Sequence, residues 1–216
     1  MSRHPAPEEL LLDYATGALA QGPALAVALH VALDPAARQT VDRLRAVGGA
    51  LLEEEAGPDL GESALAGVMA RLDGVAVEPK APPSARRPGF EWAPTSLIPY
   101  LGAKDWKRAF GGFEQIEIGL HGDTHRVSLL RLQPGKGLPV HRHVANEYTI
   151  VLQGGYTDNT GNYGVGDFAV GPGPEQHEPI ADPGPPCIAL IVIEKPIVLT
   201  GPFGRWLNPL VRRDLI

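Results

Sequence analysis

The first 75 positions carry a helical rhythm. In EELLLDYATGALA, Leu11, Tyr14, Ala15, Ala18 and Leu19 take the i, i+3, i+4, i+7, i+8 spacing of one helix face, which predicts a first helix. Pro23 stands where a second helix can start, because a proline in the first turn gives up no intrahelical hydrogen bond. PALAVALHVAL is apolar nearly all round, the pattern of a segment buried among neighbours, with His30 in its last turn. Asp34-Pro35 then marks a third start: the carboxylate can accept from free backbone N–H groups, and Pro35 fits the first helical position. That helix is expected over roughly 34–55, with Ala37, Val41, Leu44, Gly48 and Leu51 on one side. A short fourth helix is expected from Ser63 to Leu72, stopped by Gly74. Residues 1–75 therefore read as a small helical bundle.

The pattern then changes twice. VAVEPKAPPSARRPG holds four prolines and no hydrophobic period, which reads as a semi-extended linker; the linker is assigned to residues 76–92. Beyond it come short runs rich in β-branched residues, HRVSLLRLQ, YTIVLQG, DFAVG and IALIVIE, separated by Gly, Pro, Asn and Asp. These predict an all-β domain over 93–216, a sandwich or barrel, so the chain is α+β with two domains.

Composition narrows what such a chain can be. No apolar run reaches membrane-spanning length, and MSRHPAPEELL has neither the basic segment nor the apolar core of a signal peptide, so a cytoplasmic protein without a membrane partner is expected. The single cysteine, Cys187, excludes an internal disulfide and reads as a small buried residue of an apolar strand. Residues 1–75 hold eleven acidic against five basic side chains, which accounts for the whole net charge of −6. An acidic helical part repels phosphate backbones, so direct nucleic-acid binding is not expected and a basic partner is favoured.

The chemistry is concentrated in the β part. In HRHVANEYTI, His141 and His143 are two apart and project to one face of an extended strand, and Glu147 sits at an even offset from both. His177 arrives from another strand region after GPGPEQ. Three imidazoles and a carboxylate suit zinc, iron, manganese, nickel or copper better than calcium or magnesium. His121 and His125, in LHGDTHR, read as exposed residues of a hairpin turn.

The stretch from Gly135 to Gly154, GKGLPVHRHVANEYTIVLQG, resembles the first cupin motif throughout its length. GDFAVGPGPEQHEP resembles the second, supplying Gly166, Pro172 and His177, with Pro174 at the usual second glycine and no terminal asparagine. The resemblance implies a cupin β-barrel in which His141, His143, Glu147 and His177 hold one divalent metal, zinc first, with iron, manganese or nickel as alternatives. LLLDYATGAL, the apolar helix ending in His30, LRAVGGALLEEEA and SALAGVMARLD resemble the ChrR-type zinc-binding anti-sigma factors, and this likeness spans almost the whole chain. It implies a transcription regulator that binds and inhibits a group IV (extracytoplasmic function) sigma factor through its helical domain, with the metal-binding cupin as sensor of oxidative or chemical stress and as the place for a small-molecule ligand. The family's helical domain binds zinc through an N-terminal His and a His-x3-Cys-x2-Cys set. Here His30 matches that histidine, His4 lies near the place of the first one, and Asp34 and Ala37 occupy the cysteine positions, so no metal is expected in the helical domain. The alternatives are a metal-dependent cupin enzyme of dioxygenase or isomerase type, and a cupin that has given up sigma binding.

Overall fold

The computed structural model describes residues 2–57, 60–75, 87–109, 112–171, 176–195, 198–200 and 208. Five helices come first in the chain: α1 (Glu8–Thr16), α2 (Gln21–Leu33), α3 (Pro35–Glu54), α4 (Ala64–Asp73) and α5 (Ile98–Leu101). The strands follow as β1 (Lys107–Arg108), β2 (Glu114–Ile118), β3 (Arg126–Leu132), β4 (His141–Arg142), β5 (Glu147–Gln153) and β6 (Gly155–Thr157). They continue as β7 (Asn162–Gly164), β8 (Phe168–Gly171), β9 (Gln176–His177), β10 (Ile180–Ala181), β11 (Cys187–Ile193) and β12 (Val198–Leu199). Among the described residues no single helix is long and apolar enough to cross a membrane.

The helices start and stop where local chemistry dictates, with adjustments. α1 ends at Thr16 because Gly17 turns the chain left-handed (φ 76°), so Ala18 and Leu19 fall beyond the helix that the periodicity extended through them. α2 begins two residues before Pro23, which still lies in the first turn. Asp34 caps α3 as expected, accepting from the Ala36 N–H at 2.7 Å.

The strands form an open sandwich rather than a closed barrel. A six-stranded sheet, ordered β1-β2-β3-β11-β5-β8, faces two three-stranded sheets, β10-β6-β7 and β12-β4-β9. Its central strand, CIALIVI, is apolar at every position because both of its faces are covered. Leu190 and Val192 point outward with Val127, Leu129, Ile150 and Leu152, and α1–α3 pack on this outer face in one continuous apolar core. Ala189 and Ile191 point inward with Ser128, Leu130 and Thr149. Gly22 brings α2 onto the sheet: a Cβ there would stand 3.1 Å from methyl groups of both Val127 and Val192.

The helical part is thus joined to the β part through a shared core. The apolar side predicted for α3 is buried at Ala37 and Val41 only, while Leu51 and Leu52 are exposed. α4 buries none of its residues and does not complete the bundle. Of the predicted linker, residues 76–86 lie outside the described part. Phe90 is buried and stacks with Trp106, so the end of that segment is packed against the β part.

Candidate metal centre

The short antiparallel pair β4–β9 sets His141 directly opposite His177. β4 stops at Arg142, so His143 lies in the following turn and Glu147 opens the new strand β5. The even-offset argument therefore reaches the right neighbourhood through an interrupted strand. Gly171, opposite Glu147 on β8, leaves room for it: a Cβ at that position would lie 2.9 Å from the Glu147 Cβ.

Each imidazole is oriented by a partner on its far nitrogen. Nδ1 of His141 donates to the carbonyl oxygen of Pro139 at 2.8 Å, and Nδ1 of His177 donates to Oδ2 of Asp158 at 2.9 Å. Nδ1 of His143 faces Oε2 of Glu147 at 3.1 Å. With their protons on Nδ1, the three rings turn unprotonated Nε2 atoms toward one another. Nε2 of His177 is 2.8 Å from that of His143 and 3.0 Å from that of His141. Converging lone pairs repel, and a cation among them reverses the sign of the interaction. Two nitrogens about 2.05 Å from one ion, at a right angle, stand roughly 2.9 Å apart, so the three nitrogens are spaced as ligands of a single metal ion. His141, His143 and His177 together form a group that can hold a metal ion.

Burial reinforces this arrangement. It pushes His141 down to about 4, with nearby His177 adding to the effect, and His143 down to about 3, with His141 and His177 adding, which keeps both rings neutral and ready to ligate. The Glu147 carboxyl is pushed up to about 7, again mainly by burial. Oε1 of Glu147 accepts from the Thr149 hydroxyl at 3.0 Å and Oε2 faces the far nitrogen of His143, so the carboxylate is engaged behind the ring of His143 and is not part of the group of converging nitrogens.

Asp158, which orients the His177 ring, is a residue that sequence reasoning missed. Its burial works to raise its proton affinity, but hydrogen bonds from Thr160 and His177 prevail and hold it below the ordinary range. In YTDNTGN an aspartate reads as a turn former, and it is one, accepting from the Thr160 and Gly161 N–H groups. Nothing local connects it to a histidine 19 residues later.

The remaining candidates sit elsewhere. His121 is exposed, whereas His125 is half-buried, with Nδ1 2.6 Å from Asp123, whose other oxygen accepts from the Gly22 N–H in the first turn of α2. The hairpin turn is thus a cap for a helix rather than a free surface. Cys187 is buried, and burial pushes its thiol up to about 12.

This is a metal-ready cupin-like domain carrying a helical domain on the outer face of its main sheet. The ChrR cupin-like domain model matches residues 100–195. Anti-sigma-E factor ChrR from Cereibacter sphaeroides is 34% identical over 214 residues, covering 97% of this chain and 98% of that protein. The crystal structure of Rhodobacter sphaeroides SigE in complex with the anti-sigma ChrR superposes with a TM-score of 0.75 at 34% identity, covering 88% of this chain and 98% of that one. The chain belongs to the ChrR anti-sigma factor family.

The residues at the places of the zinc ligands that the family resemblance implies for the helical domain are otherwise engaged. Nε2 of His30 accepts from the Ala6 N–H at 3.1 Å and Nδ1 donates to the Gly166 carbonyl at 2.9 Å, so both ring nitrogens are engaged. Asp34 accepts from the N–H and hydroxyl of Ser2 and from the Ala36 N–H. Burial alone would raise its proton affinity, but those bonds overcome it and hold the carboxyl far below the usual carboxylate range. His4 lies against Tyr163, ring centroids 4.4 Å apart. These residues do not fit a zinc ion: they pin the N-terminal segment to α2 and α3 by hydrogen bonds instead.

Proposed function

We propose that this chain is an anti-sigma factor. Its helical part (residues 1–75) binds and occludes a group IV sigma factor, a connecting segment (76–92) follows, and a metal-loaded cupin (93–216) reports a chemical signal to the helical part. The observation that carries the reading is an apolar surface on the helical part that nothing covers among the described residues. Leu65, Val68, Met69 and Leu72 form an i, i+3, i+4, i+7 stripe on α4, all at least half exposed, and Val47, Leu51 and Leu52 are exposed on α3. Such a surface on an acidic helical domain suits a basic protein with apolar anchors. The likeness to the ChrR chain of the SigE complex supports the same class of partner. The protein then works in the cytoplasm, beside its sigma factor.

The metal is held by His141, His143 and His177, with Glu147 turning from His143 to complete the set; zinc is the first choice, with iron, manganese or nickel as alternatives. A bound ion would supply a centre whose ligation responds to the arriving chemical signal. The helical domain holds no metal, its place being taken by the bonds of His30 and Asp34. One observation favours a second reading, a metal-dependent cupin enzyme: an apolar chamber adjoins the histidines. Metal-dependent turnover of a small molecule by a chain that retains no sigma factor would support that reading.

The test is co-purification of the full chain with each group IV sigma factor of its source cell. At least one is retained and released by Leu65→Asp with Met69→Asp. Retention of none overturns the proposal.

A further inference from the structure

The chamber beside the histidines has a definable shape and polarity. Its volume is about 170 Å³, and its deep wall is apolar, built by Leu130, Leu132, Ala189 and Cys187 from the inner face of the main sheet. At one end stand His141, Glu147 and His177, with Thr149 beside them. Cross-strand register orders this wall: Glu147 lies opposite Ile193, Thr149 opposite Ile191 and Val151 opposite Ala189, so polarity falls away row by row from the histidines. Arg126 also borders the chamber, its guanidinium paired with Glu117 at 2.9 Å.

Size and charge select the occupant. An apolar cavity of about 150 Å³ takes up benzene, so a chamber of this size accommodates one six-membered ring or a compact branched chain, and not a long one. A divalent ion held by three neutral imidazoles and one carboxylate keeps one positive charge uncompensated. A purely apolar guest would leave that charge facing hydrocarbon, which is costly; an anionic head neutralises it. We propose that the chamber binds a small monocarboxylic acid with an apolar body of about benzene size, carboxylate toward His141 and His177 and body among Leu130, Leu132, Ala189 and Cys187. This rests on the metal and sensor reading above and gives that sensor a ligand class. The main sheet separates this ligand from α2, whose Gly22 lies close against Val127 and Val192 on the opposite face, so a guest against Ala189 or Ile191 sits on the strands that carry the helical part.

Benzoate is the probe, titrated calorimetrically into the zinc-loaded full chain, with cobalt-loaded protein read by its visible absorption. Saturable binding of one benzoate per chain is expected, together with a change in the cobalt bands. Binding should weaken at least tenfold for benzyl alcohol, for decanoate and in Ala189→Phe, which fills the chamber without touching a metal ligand. Should that variant not fold, Leu130→Phe serves the same purpose. Absence of saturation, unchanged cobalt bands, equal affinity for benzyl alcohol or undiminished binding in the filled variant each overturns the proposal. Sigma retention on the same preparation keeps the two readings apart. Retained sigma without benzoate binding overturns only the ligand class, and benzoate binding without sigma overturns only the regulatory function. A chain that takes up no metal overturns both the metal reading and this inference.

Discussion

The imidazole of His30 donates from Nδ1 to the carbonyl oxygen of Gly166, 136 residues further along the chain, and thereby ties the end of α2 to the turn that leads into β8. Its other nitrogen holds the Ala6 N–H, and the neighbouring residues extend the clasp: Asp167 accepts from the Arg3 and His4 N–H groups, and Phe168 donates to the His4 carbonyl. The N-terminal segment, the helices and the β part are joined at one buried, fully paired polar point.

His30→Ala should therefore destabilise the whole chain. It leaves the buried Gly166 carbonyl and Ala6 N–H without partners, a loss of about 2–4 kcal/mol. Urea unfolding measures it, and a loss below about 1 kcal/mol would mean that the clasp carries little of the joint.

Acid should weaken the same point. Burial holds His30 below its ordinary value, against smaller opposing effects from Gly166, Asp34 and Asp167, and a proton on Nε2 would meet the Ala6 N–H. The unfolded chain takes up that proton near pH 6.5 while the folded one resists it, so the contribution of His30 is complete above about pH 6.5 and declines as pH falls below it. Unfolding free energy measured at pH 7.5 and 5.5 should drop more in the native protein than in His30→Asn. Equal drops would remove His30 from the pH response.

Asp158 should govern metal affinity without being a ligand. Asp158→Ala frees the His177 ring to rotate and to change tautomer, which typically costs about 10–100-fold in affinity. Competition with a chelator reads the change, and an unaltered affinity would show that the Nδ1 partner of His177 is dispensable.

The exposed stripe of α4 should be neutral for folding. Leu65 and Met69 are both at least half exposed, so exchanging both for Asp changes the unfolding midpoint of the isolated chain little while sigma retention is lost. A lowered midpoint would place α4 in this chain's own core.

These relationships also show what the linear pattern could convey. Asp34-Pro35 specifies a helix start through chemistry within three residues, and the structure has it there. Alternation set His141 and His143 together although β4 stops at Arg142, and His177 joins them because β9 pairs with β4. Asp158 was not legible, because its partner is supplied by β9, and no local pattern tells which turn a distant strand will meet. Periodicity marked one side of α3 as apolar, but periodicity reports that a face wants cover without saying what covers it. Leu44 marks the limit: before it the helix is covered by α1 and α2, and beyond it Leu51 and Leu52 are exposed. The closed barrel likewise gave way to an open sandwich, since strand rhythm is the same in both and only the pairing of edge strands distinguishes them.

Metal content of the purified complex tests most directly whether the cupin holds all of the metal and the helical domain none. One equivalent per chain is predicted, lost in His141→Ala with His177→Ala and retained in His30→Ala. Two equivalents, or one that survives loss of His141 and His177, would contradict it.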